Sequence, residues 1–295
     1  MTGANSTGEG RFGPPAGLGE LVRNALAEDV RDGDRTTRWT VPRERPGRAR
    51  IVARADGVVA GREPAELTFT TVDAGLSVRW ATKTGDWVAA GDEVAGVQGA
   101  LGSLLTAERV ALNFLGRLSG VASTTRRFVE AVEGTGARIT DTRKTTPGWR
   151  ALEKAAARAG GAVNHRMGLH DMVLVKENHI RAAGSVEAAL EAVMERARSS
   201  HLEVEIEVTD LGELEAALAE APDRILLDNM SLETLARAVE LVQAHEGSRP
   251  LLEASGGVTL DTVRQVAGTG VDLISVGALT HSAPALDLSL LVEEA

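Results

Sequence analysis

The feature that most constrains this chain is a regular alternation of short apolar runs and helix-like stretches, which begins near residue 138. Each run has the length of a strand, and several intervening stretches start with a plausible N-cap, such as Ser185, Ser231 or Thr259. Alternating strands and helices form a parallel sheet with right-handed crossovers, as a barrel or a large open sheet. The predicted strands are RITDT (138–142), DMVLVK (171–176), EVEIEV (203–208), RILLDN (224–229), LLEASG (251–256) and DLISVG (272–277).

The part of the chain before these runs has a different pattern. Residues 1–16 are rich in Gly, Ser, Thr and Pro and are expected to form a disordered leader. Residues 19–34 have helical spacing of apolar positions, and residues 102–133 repeat Leu and Ala at intervals of three and four, which predicts a long helix. Between them, residues 49–100 alternate polar and apolar positions around Gly-Asp turns, which predicts an antiparallel β region.

Composition excludes several kinds of protein. The chain has no Cys, so disulfides and thiolate metal sites are impossible. Its net charge of −10 and its aromatic content of 3% argue against a basic or base-stacking surface for nucleic acid. No apolar run approaches the roughly 20 residues of a membrane span, and the start lacks the apolar core of a signal peptide. We therefore expect a cytoplasmic protein that binds neither nucleic acid nor membranes.

Polar and glycine residues follow the predicted strands at their carboxyl ends, where (β/α) barrels carry their functional residues. One charged strand end would mean little, but most of the six ends have this character, which predicts a polar site. The residues concerned are Arg143 and Lys144, Lys176, Glu205 and Glu207, Asp228 and Asn229, Ser255-Gly256-Gly257, and Gly277.

The charges at these ends are not evenly mixed. Residues 141–181 contain eight Lys or Arg and four acids, a local excess of +4 within an acidic chain. The later ends carry the acids Glu207 and Asp228 and are followed by two glycine-rich loops. One side of the predicted site therefore suits an anion, and the other suits hydroxyl groups or Mg²⁺. The glycine loops can offer backbone N–H groups to a phosphate.

Simpler interpretations of the same residues remain open. Arg143 and Lys144 taken alone could be surface charge, and Ser255-Gly256-Gly257 taken alone could be an ordinary turn. His165 and His170 could be metal ligands, although a pair of His is weak evidence. Arg150, Lys154 and Arg158 are spaced four apart, which predicts a solvated helix face.

The two glutamates of the third strand are also ambiguous. Glu205 and Glu207 point to the same face of the strand because their spacing is two. If that strand is buried between the barrel interior and the helices, one of them could simply pair with a Lys. The sequence does not decide whether Glu205 takes part in a site.

Several motifs together resemble the quinolinate phosphoribosyltransferase family, also called carboxylating nicotinate-nucleotide pyrophosphorylases. The combination DTRKTTPG, NHR and VKENH within 141–180 carries the resemblance with high specificity. LAEDVRDGDRTT (26–37), TAERVALNFLGRLSG (106–120), VEIEV, LLDNM, EASGGV and VGALTHS extend it over nearly the whole chain. The chain departs from the family pattern at Arg31, where the family often has Gly. This difference concerns only the conformation of the local turn.

The resemblance implies a fold, a reaction and an assembly. The family is α/β, with an N-terminal α/β sandwich domain and an incomplete, seven-stranded α/β barrel of the type II phosphoribosyltransferases. This implies a sandwich domain over 17–118 and a barrel over 119–284, with residues 285–295 able to pack back on the sandwich. The family converts quinolinate and phosphoribosyl pyrophosphate to nicotinate mononucleotide, pyrophosphate and CO₂ in de novo NAD biosynthesis, and requires Mg²⁺. It forms a homodimer whose active sites are shared between subunits.

The resemblance also assigns expected roles to residues. Arg143, His165, Arg166 and Lys176 match the quinolinate pocket, and Arg109 matches an arginine donated by the neighbouring subunit. Lys144, Glu207 and Asp228 match catalytic positions, and both acids could also hold Mg²⁺ through water. The positions that match the phosphoribosyl pyrophosphate site are Lys144, Glu207, Asp228, Ser255, Gly256, Gly257, Gly277 and, with a less defined role, His281.

Rival functions differ in the charge that they need. Quinolinate has two adjacent carboxylates, so removing it from water requires several cations, of which Arg can grip a carboxylate bidentately. A nicotinate phosphoribosyltransferase of the same barrel type has one carboxylate to neutralise and needs fewer cations. A molybdenum-associated relative of unclear substrate is another alternative. A non-catalytic phosphate sensor would have no use for Glu207 and Asp228.

Overall fold

The computed structural model describes residues 17–293, so the predicted leader, residues 1–16, lies outside the described residues. The first half of the chain alternates helices with short strands and ends in one long helix. Its elements are α1 (Leu18–Val30), α2 (Arg35–Thr40), β1 (Pro46–Ala53), β2 (Gly57–Val58), α3 (Arg62–Val72), β3 (Ser77–Trp80), β4 (Trp87–Val88), β5 (Glu93–Ala100) and α4 (Leu101–Ala131).

The second half alternates strand and helix almost without interruption. All six predicted strands are present, each within a residue or two of its expected position. The elements are β6 (Arg138–Thr140), α5 (Arg150–Ala159), β7 (Val173–Val175), α6 (Glu177–Ala183), α7 (Val186–Ser199), β8 (Val204–Val208), α8 (Leu211–Ala219), β9 (Arg224–Asp228), α9 (Leu232–Ala244), β10 (Leu251–Ser255), α10 (Val263–Ala267), β11 (Leu273–Ser275), α11 (Ala278–His281) and β12 (Leu288–Val292).

The barrel sheet is parallel throughout its described strand pairs. Its strand order is β6-β11-β10-β9-β8-β7. Val163 extends the β6 side through a single parallel bridge to Thr140, so the seventh position of the sheet is one residue wide. Among the described residues no pairing joins this bridge to β7, and the barrel is therefore incomplete. The predicted α/β fold with an incomplete barrel is confirmed.

The N-terminal domain is built on an antiparallel sheet of order β12-β1-β5-β3. The strand from the end of the chain, β12, pairs with β1, for example Leu290 opposite Ile51. A core of alternate strand residues and helix residues fills the space between this sheet and α3 and α4, including Ile51, Val94, Phe69 and Leu115. The prediction of an antiparallel region over 49–100 missed α3, because the β-branched and aromatic residues of LTFTTV are also typical of strands.

The long helix α4 joins the two domains as one continuous rod of 31 residues. Ala111 and Leu115 pack into the sandwich core, whereas Phe114 and Leu118 pack into the core that also fills the barrel. The helix therefore presents one apolar stripe to each domain. Between residues 17 and 293, no helix is both long and apolar enough to cross a membrane.

The structure tests the predictions that concern the helix ends. Helix α1 ends at Val30, and its C-cap Arg31 has a φ of 47°, in the region that favours glycine. The unusual residue of the DVRDGD turn therefore adopts a strained conformation. Ser185 and Ser231 cap α7 and α9 as predicted, each accepting a hydrogen bond from a backbone N–H three residues on. Thr259 is not a cap: α10 begins only at Val263, because residues 259–262 form a turn.

Candidate active site

A cavity of about 570 Å³ opens at the carboxyl ends of the barrel strands. It is built from every strand end of the sheet from β6 to β7, as expected for a barrel active site. Its lining residues are Thr142, Arg143, Lys144, His165, Arg166, Leu174, Lys176, Glu207, Leu226, Asp228, Asn229, Glu253, Ser255, Gly256, Gly257 and Ser275. Ten residues that the sequence analysis assigned to a site therefore lie around one cavity.

Three other expected residues do not line this cavity. Gly277 and His281 lie just beside it: a Cβ built on Gly277 would be 3.1 Å from Cδ of Lys144 and 3.0 Å from Nε2 of His281. Arg109 is exposed on α4 and contributes nothing to the cavity of its own chain. A larger cavity of about 750 Å³ lies between the two domains. Alanines of α5 form much of its wall, and Arg143, Arg166 and Lys176 do not line it.

The end of β6 is held by a buried ion pair. Nζ of Lys154 donates to Oδ1 of Asp141 and, at 2.9 Å, to the carbonyl oxygen of His165. Both side chains are almost fully buried. Burial raises the pKa of Asp141 and lowers the pKa of Lys154, and the attraction between the two opposes both shifts. The predicted solvated face of α5 is therefore wrong at Lys154, which faces the barrel and anchors the loop before Arg166.

Two arginines on the cavity wall have N–H donors without a hydrogen-bond partner among the described residues. The Nε–H groups of Arg143 and Arg166 are buried and donate to no partner among the described residues. The guanidinium of Arg166 reaches only the carbonyl oxygen of Met172, at 3.2 Å. Burial and the nearby charge of Arg143 lower the pKa of Arg166. Two cations that repel each other and have free donors strongly favour the binding of an anion between them.

His165 lies above a pair of buried glutamates. Its Nε2 is 3.0 Å from Oε2 of Glu205 and 3.7 Å from Oε1 of Glu253. Burial acts to lower the pKa of His165, but the two carboxylates outweigh it and raise that pKa. The backbone N–H of Arg166 donates to Nδ1 of His165 at 2.7 Å, and in the neutral ring this contact favours the tautomer with its hydrogen on Nε2.

The buried group around His165 also bears on whether His165 and His170 form a metal site. Within residues 17–293, His165, Glu205 and Glu253 form a group with the spacing of metal ligands. His170 is not part of this group. The possibility that His165 and His170 form a metal site is therefore not supported. The carboxylate oxygens of Glu205 and Glu253 are buried and have no hydrogen-bond partner among the described residues.

The opposite wall of the cavity is acidic and glycine-rich. Lys176, at the end of β7, pairs with Oε2 of Glu207 on β8. Asp228 ends β9, and its Oδ2 accepts a 2.7 Å hydrogen bond from the side chain of Asn229. The φ of Gly256 is +103°, and a Cβ there would lie 2.2 Å from Oδ1 of Asn229. Only glycine fits at this position, which brings the backbone of the loop close to the cavity.

One acid of the cavity, Glu253, was not singled out from the sequence. Glu253 is an isolated acid in an otherwise apolar run, yet it lines the cavity floor and is fully buried. Its spacing of two from Ser255 was the available signal, because both side chains then share the inner face of β10. Burial and the charge of Glu205 raise the pKa of Glu253 to about 7.

Comparison with known proteins identifies the two domains. The chain matches the family models for the N-terminal domain of quinolinate phosphoribosyl transferase over residues 34–119 and for its C-terminal domain over residues 121–291. It is 46% identical over 276 residues to the carboxylating nicotinate-nucleotide pyrophosphorylase of Mycobacterium leprae, a match that covers 92% of this chain and 95% of that protein.

Two further matches agree with this result. The chain is 41% identical over 298 residues to the decarboxylating quinolinate phosphoribosyltransferase 1b of Nicotiana tabacum, covering 95% of this chain and 83% of that protein. It is also similar to the structure of the nicotinate-nucleotide pyrophosphorylase from Francisella tularensis, with a TM-score of 0.90 and 37% identity. That match covers 96% of this chain and 98% of the other.

Proposed function

This chain belongs to the quinolinate phosphoribosyltransferase family, and from that premise we propose that it makes nicotinate mononucleotide from quinolinate and phosphoribosyl pyrophosphate. Pyrophosphate and CO₂ are the other products, and the reaction belongs to de novo NAD biosynthesis. The two family models together match residues 34–119 and 121–291, which is most of the chain. We further propose that the protein works in the cytoplasm.

The observation that carries this proposal is the pair of arginines with free, buried donors. Arg143 and Arg166 each retain an unpartnered Nε, whereas Lys176 already has Glu207 as its counter-ion. Two guanidinium groups match the two carboxylates of quinolinate, each of which can accept two hydrogen bonds from one arginine. A ligand with one carboxylate would leave one of these guanidiniums without an anion in a buried place.

The sugar phosphate fits the other end of the cavity. Lys144 is exposed at the cavity mouth, beside Gly277 and His281, and can reach a phosphate as a mobile cation. The backbone of Ser255-Gly256-Gly257 lines the opposite side. The φ values of Gly256 and Gly257 are positive, a conformation that can turn successive N–H groups toward an anion.

The acids between these two ends fit Mg²⁺. Glu207 and Asp228 provide only carboxylate oxygens, the donor type that Mg²⁺ prefers, and both line the cavity between the proposed substrate positions. When bound, Mg²⁺ would supply positive charge for the departing pyrophosphate. We propose that Glu207 and Asp228 hold it, through water, and also face the ribose, whose anomeric carbon becomes positively charged in the transition state.

No protein nucleophile is needed for this chemistry. The ring nitrogen of quinolinate attacks the anomeric carbon, and the bond to pyrophosphate breaks. The resulting pyridinium then accepts the electron pair released when the 2-carboxylate leaves as CO₂, and a proton takes the place of the carboxylate. Arg143 and Arg166 hold the ring in register with the sugar, so most of the rate should come from positioning and preorganised charge.

We also propose a homodimer with shared active sites, because Arg109 is exposed on α4 and remote from the cavity of its own chain. Trp39, on the neighbouring helix α2, is 80% exposed, and an indole so exposed provides apolar area for a protein contact. If sites are shared, inactive Arg109→Ala mixed with inactive Lys144→Ala should regain part of the activity. No regain after demonstrated subunit exchange would contradict the shared site.

The deciding experiment for the function is direct. Purified protein with quinolinate, phosphoribosyl pyrophosphate and Mg²⁺ should release CO₂ and pyrophosphate in equal amounts and form nicotinate mononucleotide. Nicotinate offered in place of quinolinate should react far more slowly, because it leaves one arginine unpaired. Equal rates with both acids would favour a nicotinate phosphoribosyltransferase, and binding without turnover would favour a phosphate sensor.

A further inference from the structure

Arg117 lies on α4, outside the cavity, but its guanidinium connects two loops that carry site residues. Its Nη1 donates to the carbonyl oxygen of Ala283 at 2.6 Å, and its Nη2 donates to the carbonyl oxygen of Thr280. Nη2 also lies 2.9 Å from Oε1 of Glu153 on α5. Nη1 and Nη2 therefore both hold the segment after β11, and Nη2 also holds α5.

The carboxylate of Glu153 continues this connection to the loop after β6. Its Oε2 accepts from the backbone N–H of Thr146 at 3.0 Å, and its Oε1 accepts from the hydroxyl of Thr146 at 2.9 Å. Glu153 is fully buried, and within residues 17–293 its carboxylate is compensated by Arg117 and Thr146. Thr146 follows Lys144 by two residues in the same loop.

A third contact closes the connection around Lys144. The hydroxyl of Thr280 donates to the carbonyl oxygen of Lys144 at 2.8 Å. The side chain of Lys144 passes Gly277, where a Cβ would come within 3.1 Å of its Cδ. Thr280 thus holds the backbone of Lys144, and Thr146 holds the same loop two residues further on. The pair Arg117–Glu153 contacts both of these threonines.

From this geometry we propose that Arg117 and Glu153 are positioning residues for the phosphate end of the site. The proposal rests on the proposed function, since it assigns Lys144 and the Gly277 loop to phosphoribosyl pyrophosphate. The pair sets the distance between the loop after β6 and the loop after β11, so that Lys144 and the backbone at Gly277 face one ligand together. Neither Arg117 nor Glu153 touches that ligand.

The quinolinate end is held by other contacts. Arg150 donates from Nη1 to the carbonyl oxygen of Met167 at 3.1 Å and from Nη2 to the carbonyl oxygen of Arg143 at 3.5 Å. The loop before Arg166 is anchored by the ion pair of Lys154 with Asp141. Loosening the Arg117–Glu153 pair should therefore disturb the two ends of the cavity unequally.

The test compares Arg117→Lys, Glu153→Gln and the matched control Arg126→Lys. Arg126 also lies on α4 and also contacts α5 through one carbonyl oxygen, that of Gly160 at 3.2 Å, but it is remote from the cavity. For each full-length variant we would measure kcat, the KM for phosphoribosyl pyrophosphate, the Kd for quinolinate alone, and the melting temperature. Wild-type protein assayed first for CO₂ and pyrophosphate tests the proposed function separately.

A lysine can donate to one of the two carbonyl oxygens but lacks the planar fork that reaches Glu153 as well. Arg117→Lys and Glu153→Gln should therefore raise the KM for phosphoribosyl pyrophosphate or lower kcat by about 10- to 100-fold, as expected for a small misplacement of the reactants. The Kd for quinolinate should change less than about 3-fold, and Arg126→Lys should behave as wild type in all three constants.

Equal weakening of both substrates, or a lower melting temperature with unchanged kinetics, would reduce the pair to a purely structural role and overturn the proposal. If these variants fold poorly, Thr280→Val removes only the hydroxyl that donates to Lys144 and preserves the shape of the side chain. Thr280→Val should show the same unequal effect on a smaller scale, and normal kinetics in a folded Thr280→Val would also overturn it.

Discussion

Replacing Lys154 by methionine tests how strongly a buried ion pair supports the site. The change keeps the length of the side chain but removes the ammonium group, and leaves the carboxylate of Asp141 buried with two remaining donors. These are the backbone N–H of His165 at 2.9 Å and the side-chain amide of Asn164 at 2.5 Å. Removing one partner of a buried pair typically costs about 3–5 kcal/mol, and we expect Lys154→Met to fall in this range.

The pH dependence of that loss provides a second check. Burial already raises the pKa of Asp141 while Lys154 is present, and without the lysine its pKa should rise further. A carboxyl with a raised pKa in the folded state binds its proton more tightly when folded than when unfolded, so stability falls as the pH rises through the folded pKa. The penalty of Lys154→Met should therefore be larger at pH 8 than at pH 5.

Urea unfolding followed by circular dichroism measures both effects. Arg127→Met is the matched control, because Arg127 is an exposed residue of α4, and it should change stability by no more than about 0.5 kcal/mol. Asp141→Asn combined with Lys154→Met should recover about 1–2 kcal/mol, since the amide still accepts from His165 and no buried charge remains. A loss below about 1 kcal/mol for Lys154→Met, or no recovery in the double variant, would refute this account.

Three further predictions concern single positions. Because the pKa of Glu253 is raised to about 7 in the folded protein, stability should fall between about pH 4.5 and pH 7 by up to roughly 3 kcal/mol, and Glu253→Gln should flatten that fall in urea titrations. Arg31→Gly should stabilise the protein by about 1 kcal/mol, measured in the same way, since φ at Arg31 is 47°; Arg31→Ala should give no such gain. Gly256→Ala should abolish most activity, because the new Cβ would lie 2.2 Å from Oδ1 of Asn229. The control Gly91→Ala should reduce only stability, because the φ of Gly91 is +99° but no atom lies within 4 Å of the new Cβ.

The sequence predicted the barrel well because its signal is local and repeated. Each strand is a short apolar run with a polar end, and the parallel pairing follows from the helices between the runs. The same spacing placed Glu205 and Glu207 on one face of β8, and both do point into the barrel. The sequence analysis also left open that one of them pairs with a Lys, and Glu207 does pair with Lys176.

The connections between elements were not predictable in this way. Arg117 meets Glu153 across 36 residues and the carbonyl oxygen of Ala283 across 166 residues, and no spacing rule links positions so far apart. Helix α5 illustrates a different limit. Its buried positions include two charged residues, Glu153 and Lys154, so charge alone does not mark the exposed face. The i,i+4 spacing of Lys154 from Arg150 fits a buried and a solvated row equally well.

The number of charges in a stretch of sequence does not show what each charge does in the fold. A last prediction tests this point. The cations of residues 141–181 look equivalent in the sequence, but the fold assigns Lys154 to Asp141 and leaves Arg166 with free donors next to Arg143. Arg166→Met should therefore lose about 100-fold or more in quinolinate affinity but change stability by no more than about 1 kcal/mol, because it relieves repulsion from Arg143. Lys154→Met should show the opposite ranking, with stability the larger loss. Calorimetric titration and urea unfolding of both variants give the comparison, and an Arg166→Met variant as unstable as Lys154→Met would mean that Arg166 supports the fold instead of a ligand.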